Sequence, residues 1–439
     1  MALKDVLKQK IEEFRPRTTK LVKEFGKVVI DQVTIDQCIG GARDVRCLVT
    51  DISYLDPQEG IRFRGKTIPE TFEALPKATG SDYPTVESFW YFLLTGDVPT
   101  PAQVDEVIAE WKSRQVVPSY VFDAIRGLPK DSHPMVMLSV GLLSMQKDSK
   151  FVAFYNSGKF NKMAAWEYMY EDASDLVARI PIIAAFIYRY KYKGDQQIAI
   201  DPKLDMGANF AHMCGVPKPY DDVSRMYYIL HSDHESGNVS AHTTHLVASA
   251  LSDAYYAYSA GLNGLAGPLH GLANQEVLSW IMEFQKKMGG AEPTKENVTQ
   301  ALWDTLKAGQ VIPGYGHAVL RKTDPRYTSQ REFCLKHLPN DPLFKLVSMI
   351  YEVAPGVLTE HGKTKNPWPN VDAQSGVIQW YYGVKEWDFY TVLFGVGRAL
   401  GCMANITWDR ALGYAIKRPK SVTTHMLEKW AAEGGRKIQ

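Results

Sequence analysis

Apolar residues recur at helical spacing along most of this chain, and that periodicity limits the fold more than any other feature of the sequence. At Thr100 a threonine can cap, Pro101 takes the first helical position, and Val104, Val107, Ile108 and Trp111 share one face. A second run carries Val277, Leu278, Ile281 and Met282, with Lys286 and Lys287 in its last turn and Gly289-Gly290 as its stop. In a third, Thr294 caps a helix bearing Val298, Ala301, Leu302 and Leu306, and Gly309 ends it. Strand signal is confined to alternation at Val28, Ile30, Val33 and Ile35 and to short runs such as Ile61-Arg62-Phe63, without the spacing of βαβ units. The expected class is all-α.

A chain of 439 residues exceeds one ordinary core, so two or more domains are expected. Glycine and proline cluster near Gly267 and between Asn366 and Val371, which marks about 273 to 383 as a candidate inserted domain. With 50 basic and 49 acidic residues the formal charge is +1, so no long-range field draws nucleic acid or an anionic membrane, and any basic site must be local. Cys38, Cys47, Cys214, Cys334 and Cys402 are odd in number and lack C-x-x-C spacing, which argues against a disulfide scaffold or a structural zinc and fits a reducing compartment. The apolar stretches Ile180–Tyr188 and Thr391–Ile406 are too short or interrupted by Arg398, so a soluble protein without a membrane span is expected. Met1–Phe14 contains Asp5, Glu12 and Glu13, unlike an acid-poor transit peptide, so the sequence reads as a mature form. No glycine-rich phosphate loop of Rossmann or P-loop spacing follows a strand.

Chemistry concentrates at three loops. His270 lies in Gly264–Gly271, a glycine-rich turn just before the second helical run, where backbone N–H groups and the helix dipole disfavour an imidazolium; a neutral ring there can donate to a developing oxyanion. His317 sits between Gly316 and Ala318, whose small side chains leave backbone N–H groups free to approach a ligand. Asp372 follows Pro367 and Pro369, which restrict the backbone behind its carboxylate. Two histidines and a carboxylate on rigid loops make a plausible acid/base set. Arg398 interrupts an apolar run from Val392 to Leu400, so it requires either a bound anion or an internal Asp or Glu partner. His231, His234, His242 and His245 form two H-x-x-H pairs, but no cysteine joins them and Asn238-Val239-Ser240 reads as a helix start between them, so a metal is not expected.

With these motifs, the Gly40-Gly41-Ala42-Arg43 turn, the Leu55–Gly65 segment and Arg418-Pro419-Lys420-Ser421, the chain resembles the citrate synthases of the eukaryotic, homodimeric type. The resemblance implies a two-domain helical fold: a large domain from 1–272 and 384–439, a small one from 273–383, and a cleft between them that closes on substrate. It implies condensation of acetyl-CoA with oxaloacetate and hydrolysis of citryl-CoA, with no metal and with CoA as product rather than resident cofactor. Asp372 would be the general base, His270 the enolate stabiliser and His317 the donor to the ketone oxygen. His234, Arg326, Arg398 and Arg418 would hold oxaloacetate, Arg418 reaching across a homodimer whose sites are shared. Helices from Ser240 to Asn263, rich in small residues, would pack across that dimer. Arg43, Lys162, Arg321 and Lys365 would form the CoA rim, with Lys162 standing where the family usually has arginine and so losing the fork. The implied location is the mitochondrial matrix, or the cytoplasm in a prokaryote. The alternative is 2-methylcitrate synthase, using propionyl-CoA; Trp368 and Asn274 favour the citrate enzyme.

Overall fold

The helix caps fall where the sequence places them. Thr100 accepts from the Gln103 N–H to open the Pro101–Arg114 helix, Asn238 accepts from Ala241 to open Val239–Ser249, and Thr294 with Asn297 forms a capping box on Lys295–Lys307. Gly309 and Gly289 take left-handed φ of 74° and 61° just beyond their helices. Gly290 lies outside the described residues, which are 2–289 and 292–435 of this computed structural model.

Helices dominate, and the single sheet among the described residues is an antiparallel hairpin of Ser53–Asp56 and Gly60–Phe63 that pairs Leu55 with Ile61. Asp56 closes its turn by accepting from the Gln58 and Glu59 N–H groups. The alternation from Val28 to Ile35 does not form a strand. That segment is irregular up to Thr34, which caps the short Ile35–Ile39 helix, and Val28, Ile30, Val33 and Ile35 are all exposed. Alternation without a partner edge leaves backbone groups unpaired, so pattern alone cannot hold a strand there.

At the centre runs the wholly buried Tyr390–Ala411 helix, packed against Ala165–Tyr192, Tyr220–His231, Val239–Ser249 and Ala254–Leu265. Trp387–Ala411 is long and apolar enough to cross a membrane, yet from Phe389 onward it is buried within the fold, as befits a core helix. At Gly401 a Cβ would lie 2.3 Å from the Ser232 carbonyl oxygen and 2.5 Å from Asp233 Cβ, so only glycine lets the 231–236 segment lie against this helix.

The helices Ala273–Lys287, Lys295–Lys307, Pro325–His337, Pro342–His361 and Asp372–Tyr381 pack mostly on one another. They meet the rest at a few polar seams. The Arg321 N–H donates to the Pro57 carbonyl at 2.8 Å, Lys336 pairs with Asp82, and the Tyr220 hydroxyl donates to Gln379.

Candidate active site

His270 occupies the turn between Ala254–Leu265 and Ala273–Lys287. Its Nε2 accepts from the Ser240 N–H at 3.3 Å and lies 2.9 Å from Ser240 Oγ. An Nε2 that accepts a backbone N–H carries no proton, so Nδ1–H is the donor the ring presents. Burial, then the charges of Arg398 and Arg326, pushes its pKa down to about 3, so the ring is neutral. Burial and arginines, rather than the helix dipole invoked from the sequence, keep the ring neutral.

His317 is fixed differently. Its Nδ1 accepts from the Val319 and Leu320 N–H groups, both at 3.0 Å, which leaves Nε2–H as donor. The Val319 and Leu320 N–H groups thus serve to orient this ring. Burial and Arg326 lower its pKa to about 4. Its ring lies edge-on to that of His234, with centroids 5.4 Å apart.

Asp372 is the first residue of the Asp372–Tyr381 helix. Its N–H donates to Asn370 Oδ1 at 2.9 Å, while its own Oδ1 is buried with no hydrogen-bond partner. Burial raises its pKa to about 7, opposed by Arg326, reinforced by Asp324 and opposed by Arg398. A buried unpartnered carboxylate with a pKa near neutrality is what a general base requires. The loops of His317 and Asp372 are zipped together: the Gly316 N–H donates to Trp368 O at 3.2 Å, Asn370 N–H to Gly314 O at 2.9 Å, and Asp324 N–H to Pro369 O at 3.1 Å. At Gly314, with φ of 80°, a Cβ would meet Ala373 Cα at 2.7 Å, so glycine is required for this approach.

Two buried arginines organise the site. Arg398, 1% exposed, donates Nε to the His231 carbonyl at 3.0 Å and Nη1 to Asn238 Oδ1 at 2.8 Å and Ser240 Oγ at 3.0 Å, with the Phe394 ring under its guanidinium. These hydrogen-bond partners are neutral, so among the described contacts no carboxylate binds the guanidinium directly; the buried Asp233 carboxylate acts on it only through its field. Arg326 does have a carboxylate. Asp324, the cap of its own helix, takes Nε and Nη2 at 2.6 to 3.1 Å. The charges of Arg326 and Arg398 both act on His231, His234, His270 and Asp372, which gathers these groups into one region. His234 is 7% exposed with Nε2 unpartnered, and burial first, then Arg326, holds its pKa well below the usual value.

The other expected positions lie outside this cluster. Arg418 is exposed in the segment after the core helix, and its charge is not among those acting on the site histidines. Arg43, Lys162 and Lys365 are exposed. Arg321 Nη1 donates to the carbonyls of Ala318, Val319 and Leu320, bracing the His317 loop. The H-x-x-H pairs are dispersed in role. His231 stacks on Tyr227 at 3.8 Å, His245 bonds Asp409 and Ser236, and among the described residues no group of three His, Cys, Asp or Glu is placed to hold a metal ion. Sequence reasoning passed over Asn238, Ser240 and Asp324. The first two read only as a helix start, although Ser240 sets the His270 tautomer; Asp324, the partner of Arg326, carried no signal in the sequence reading.

Neutral histidine donors, a carboxylate with a buried unpartnered oxygen and a buried arginine whose direct hydrogen-bond partners are all neutral make an acid/base site with positive charge to offer an anionic group. The family model described as "Citrate synthase, C-terminal domain" matches residues 41–420, and the chain belongs to the citrate synthase family, which are acyltransferases. Similar proteins include "Citrate synthase, mitochondrial" of Xiphias gladius, 53% identical over 97% of this chain and 91% of that one. The protein of the same name from Saccharomyces cerevisiae is 52% identical over 96% and 89%. "Probable citrate synthase, mitochondrial" of Glossina morsitans morsitans is 52% identical over 98% and 92%. Among solved structures, citrate synthase from Pyrobaculum aerophilum superposes with a TM-score of 0.75 at 27% identity, covering 90% of this chain and 95% of that one.

Proposed function

We propose that this citrate synthase uses Asp372, His270 and His317 as its reacting groups, a reading carried by the buried, unpartnered Asp372 Oδ1 in the field of two arginines. Asp372 takes a proton from the acetyl-CoA methyl group, and the electron pair moves to the thioester oxygen, where His270 Nδ1–H receives the negative charge. The methyl carbon then attacks the ketone carbon of oxaloacetate while His317 Nε2–H donates to the ketone oxygen. Water cleaves the citryl thioester to citrate and the CoA thiol. His234, Arg326 and Arg398 hold the dicarboxylate, planar forks suiting its oxygens. Arg43, Lys162, Arg321 and Lys365 line the CoA rim, Arg321 doing so from a loop it also braces. No resident cofactor or metal enters this scheme.

The helices of 273–383 act as a small domain that moves against 1–272 and 384–439 and closes on oxaloacetate. The mitochondrial relatives support a mitochondrial location, and the reading places the enzyme in the matrix. Acetyl-CoA and propionyl-CoA compared at saturating oxaloacetate test the acyl assignment. Acetyl-CoA is expected to lead in kcat/KM by about 10-fold or more, since one methylene in a pocket separates substrates by about 1 to 3 kcal/mol. Preference for propionyl-CoA would move the enzyme to the 2-methylcitrate class.

The active unit is a homodimer. Val29 and Ile30, 74% and 75% exposed, lie on the amino-terminal arm, and Val239, Leu246 and Tyr256 stand exposed on the small-residue helix pair. Such apolar surface suits a partner copy. Arg418, exposed in the segment after the core helix, then completes the partner's site. Mixing Arg418→Ala with Asp372→Asn subunits is expected to produce heterodimers with one intact site and up to roughly half the activity of a wild-type dimer. Failure to complement after confirmed subunit exchange would return Arg418 to its own chain or to no site.

A further inference from the structure

The segment that delivers His234 to the site is strained and heavily tethered. Glu235 has a φ of 52°, left-handed for a residue with a side chain, and such backbone persists only where surroundings over-determine it. The tethers come largely from one stripe of the Tyr390–Ala411 helix, at positions spaced 3, 4 and 4 residues apart. Arg398 Nε donates to the His231 carbonyl at 3.0 Å, and the Gly401 N–H to the Ser232 carbonyl at 3.1 Å. Asn405 Nδ2 reaches Asp233 Oδ2 at 3.2 Å, an oxygen that also accepts from Ser53 Oγ at 2.8 Å. The fourth position, Asp409, does not touch the segment. Its Oδ2 lies 2.5 Å from His245 Nδ1, and His245 Nε2 lies 2.8 Å from Ser236 Oγ, two residues beyond His234.

We propose that Ser236, His245 and Asp409 are positioning residues for oxaloacetate, a relay that fixes the far end of the His234 segment so that the imidazole meets the substrate in one orientation. The inference rests on the substrate reading given above. Asp409 accepts only, so His245 carries its proton on Nδ1, and its Nε2 accepts the Ser236 hydroxyl proton. The trio has the order of a hydrolytic triad, but Ser236, His245 and Asp409 are 2%, 2% and 4% exposed, which denies a substrate access to the hydroxyl. Its effect is on geometry. A segment already strained at Glu235 has an alternative, relaxed conformation to fall into when one tether is cut, and His234 moves with it.

The test uses full-length protein and titrates oxaloacetate directly by calorimetry, beside steady-state kinetics and thermal melting. Ser236→Ala and His245→Asn are each expected to raise the oxaloacetate Kd and KM by about three- to tenfold, the worth of one hydrogen bond, with kcat at saturating oxaloacetate within about twofold. His245→Gln, which can present an amide oxygen near the Nε2 position, is expected to recover much of the affinity. Because the three act as one chain, the Ser236→Ala/His245→Asn double variant should bind no more weakly than the poorer single variant. Additive losses, or a lowered melting temperature with oxaloacetate Kd unchanged, would overturn the proposal and leave the trio as core packing. Wild-type protein that fails to bind oxaloacetate in the same titration would overturn the substrate reading itself, and this inference with it.

Discussion

Asp372→Asn is expected to fold normally and bind oxaloacetate while losing about 10²- to 10⁴-fold in turnover. The substitution keeps the shape of the side chain and the N–H bond to Asn370, and the buried Oδ1 has no partner to lose. What disappears is the proton acceptor. Wild-type activity should also depend on pH through this group: burial raises the Asp372 pKa to about 7, so the base form is depleted below neutrality. Turnover therefore rises with pH through about 7 to a plateau, and the residual rate of Asp372→Asn lacks that limb. Near-wild-type turnover in the variant would remove Asp372 from the mechanism.

His270→Ala is expected to cost on the order of 10²- to 10³-fold in turnover, the usual loss for one oxyanion donor in a buried site. In the proposed role the ring depends on Ser240, whose N–H occupies Nε2 and leaves Nδ1–H as the donor. With its pKa pushed down to about 3, His270 stays neutral over the working range, so this loss should be nearly independent of pH between about 6 and 9. Retained activity in His270→Ala would place the enolate stabiliser elsewhere.

The helices read from the sequence form because local chemistry specifies them, and the same local signals mark the three residues proposed as reacting groups. Thr100, Thr294 and Asn238 each cap a helix through residues three positions away, and glycine or proline flanks His270, His317 and Asp372. Long-range pairings were not legible. Ser240 meets His270 across 30 positions, and Asn238 meets Arg398 across 160, separations no periodicity encodes. The sequence could state that Arg398 needs a partner but not choose between a carboxylate and a ligand; the fold supplies only neutral acceptors. The alternation at Val28 to Ile35 misled because strands need partner edges, which lie outside the local pattern. The orientation of His317 was likewise illegible, since it is set by the Val319 and Leu320 N–H groups that donate to its Nδ1.

The central claim is that Asp372 and His270 together ionise the acetyl methyl group. It is tested most directly by incubating enzyme with acetyl-CoA in deuterated water beside a 2-hydroxy dicarboxylate, which can fill the oxo-acid clamp but offers no ketone carbon to attack. Mass analysis of the recovered acetyl-CoA then reads proton abstraction alone. Wild-type enzyme is expected to load deuterium into the methyl group, Asp372→Asn to load none above background, and His270→Ala to load it at least about 10²-fold more slowly. Exchange by Asp372→Asn at the wild-type rate would contradict the account.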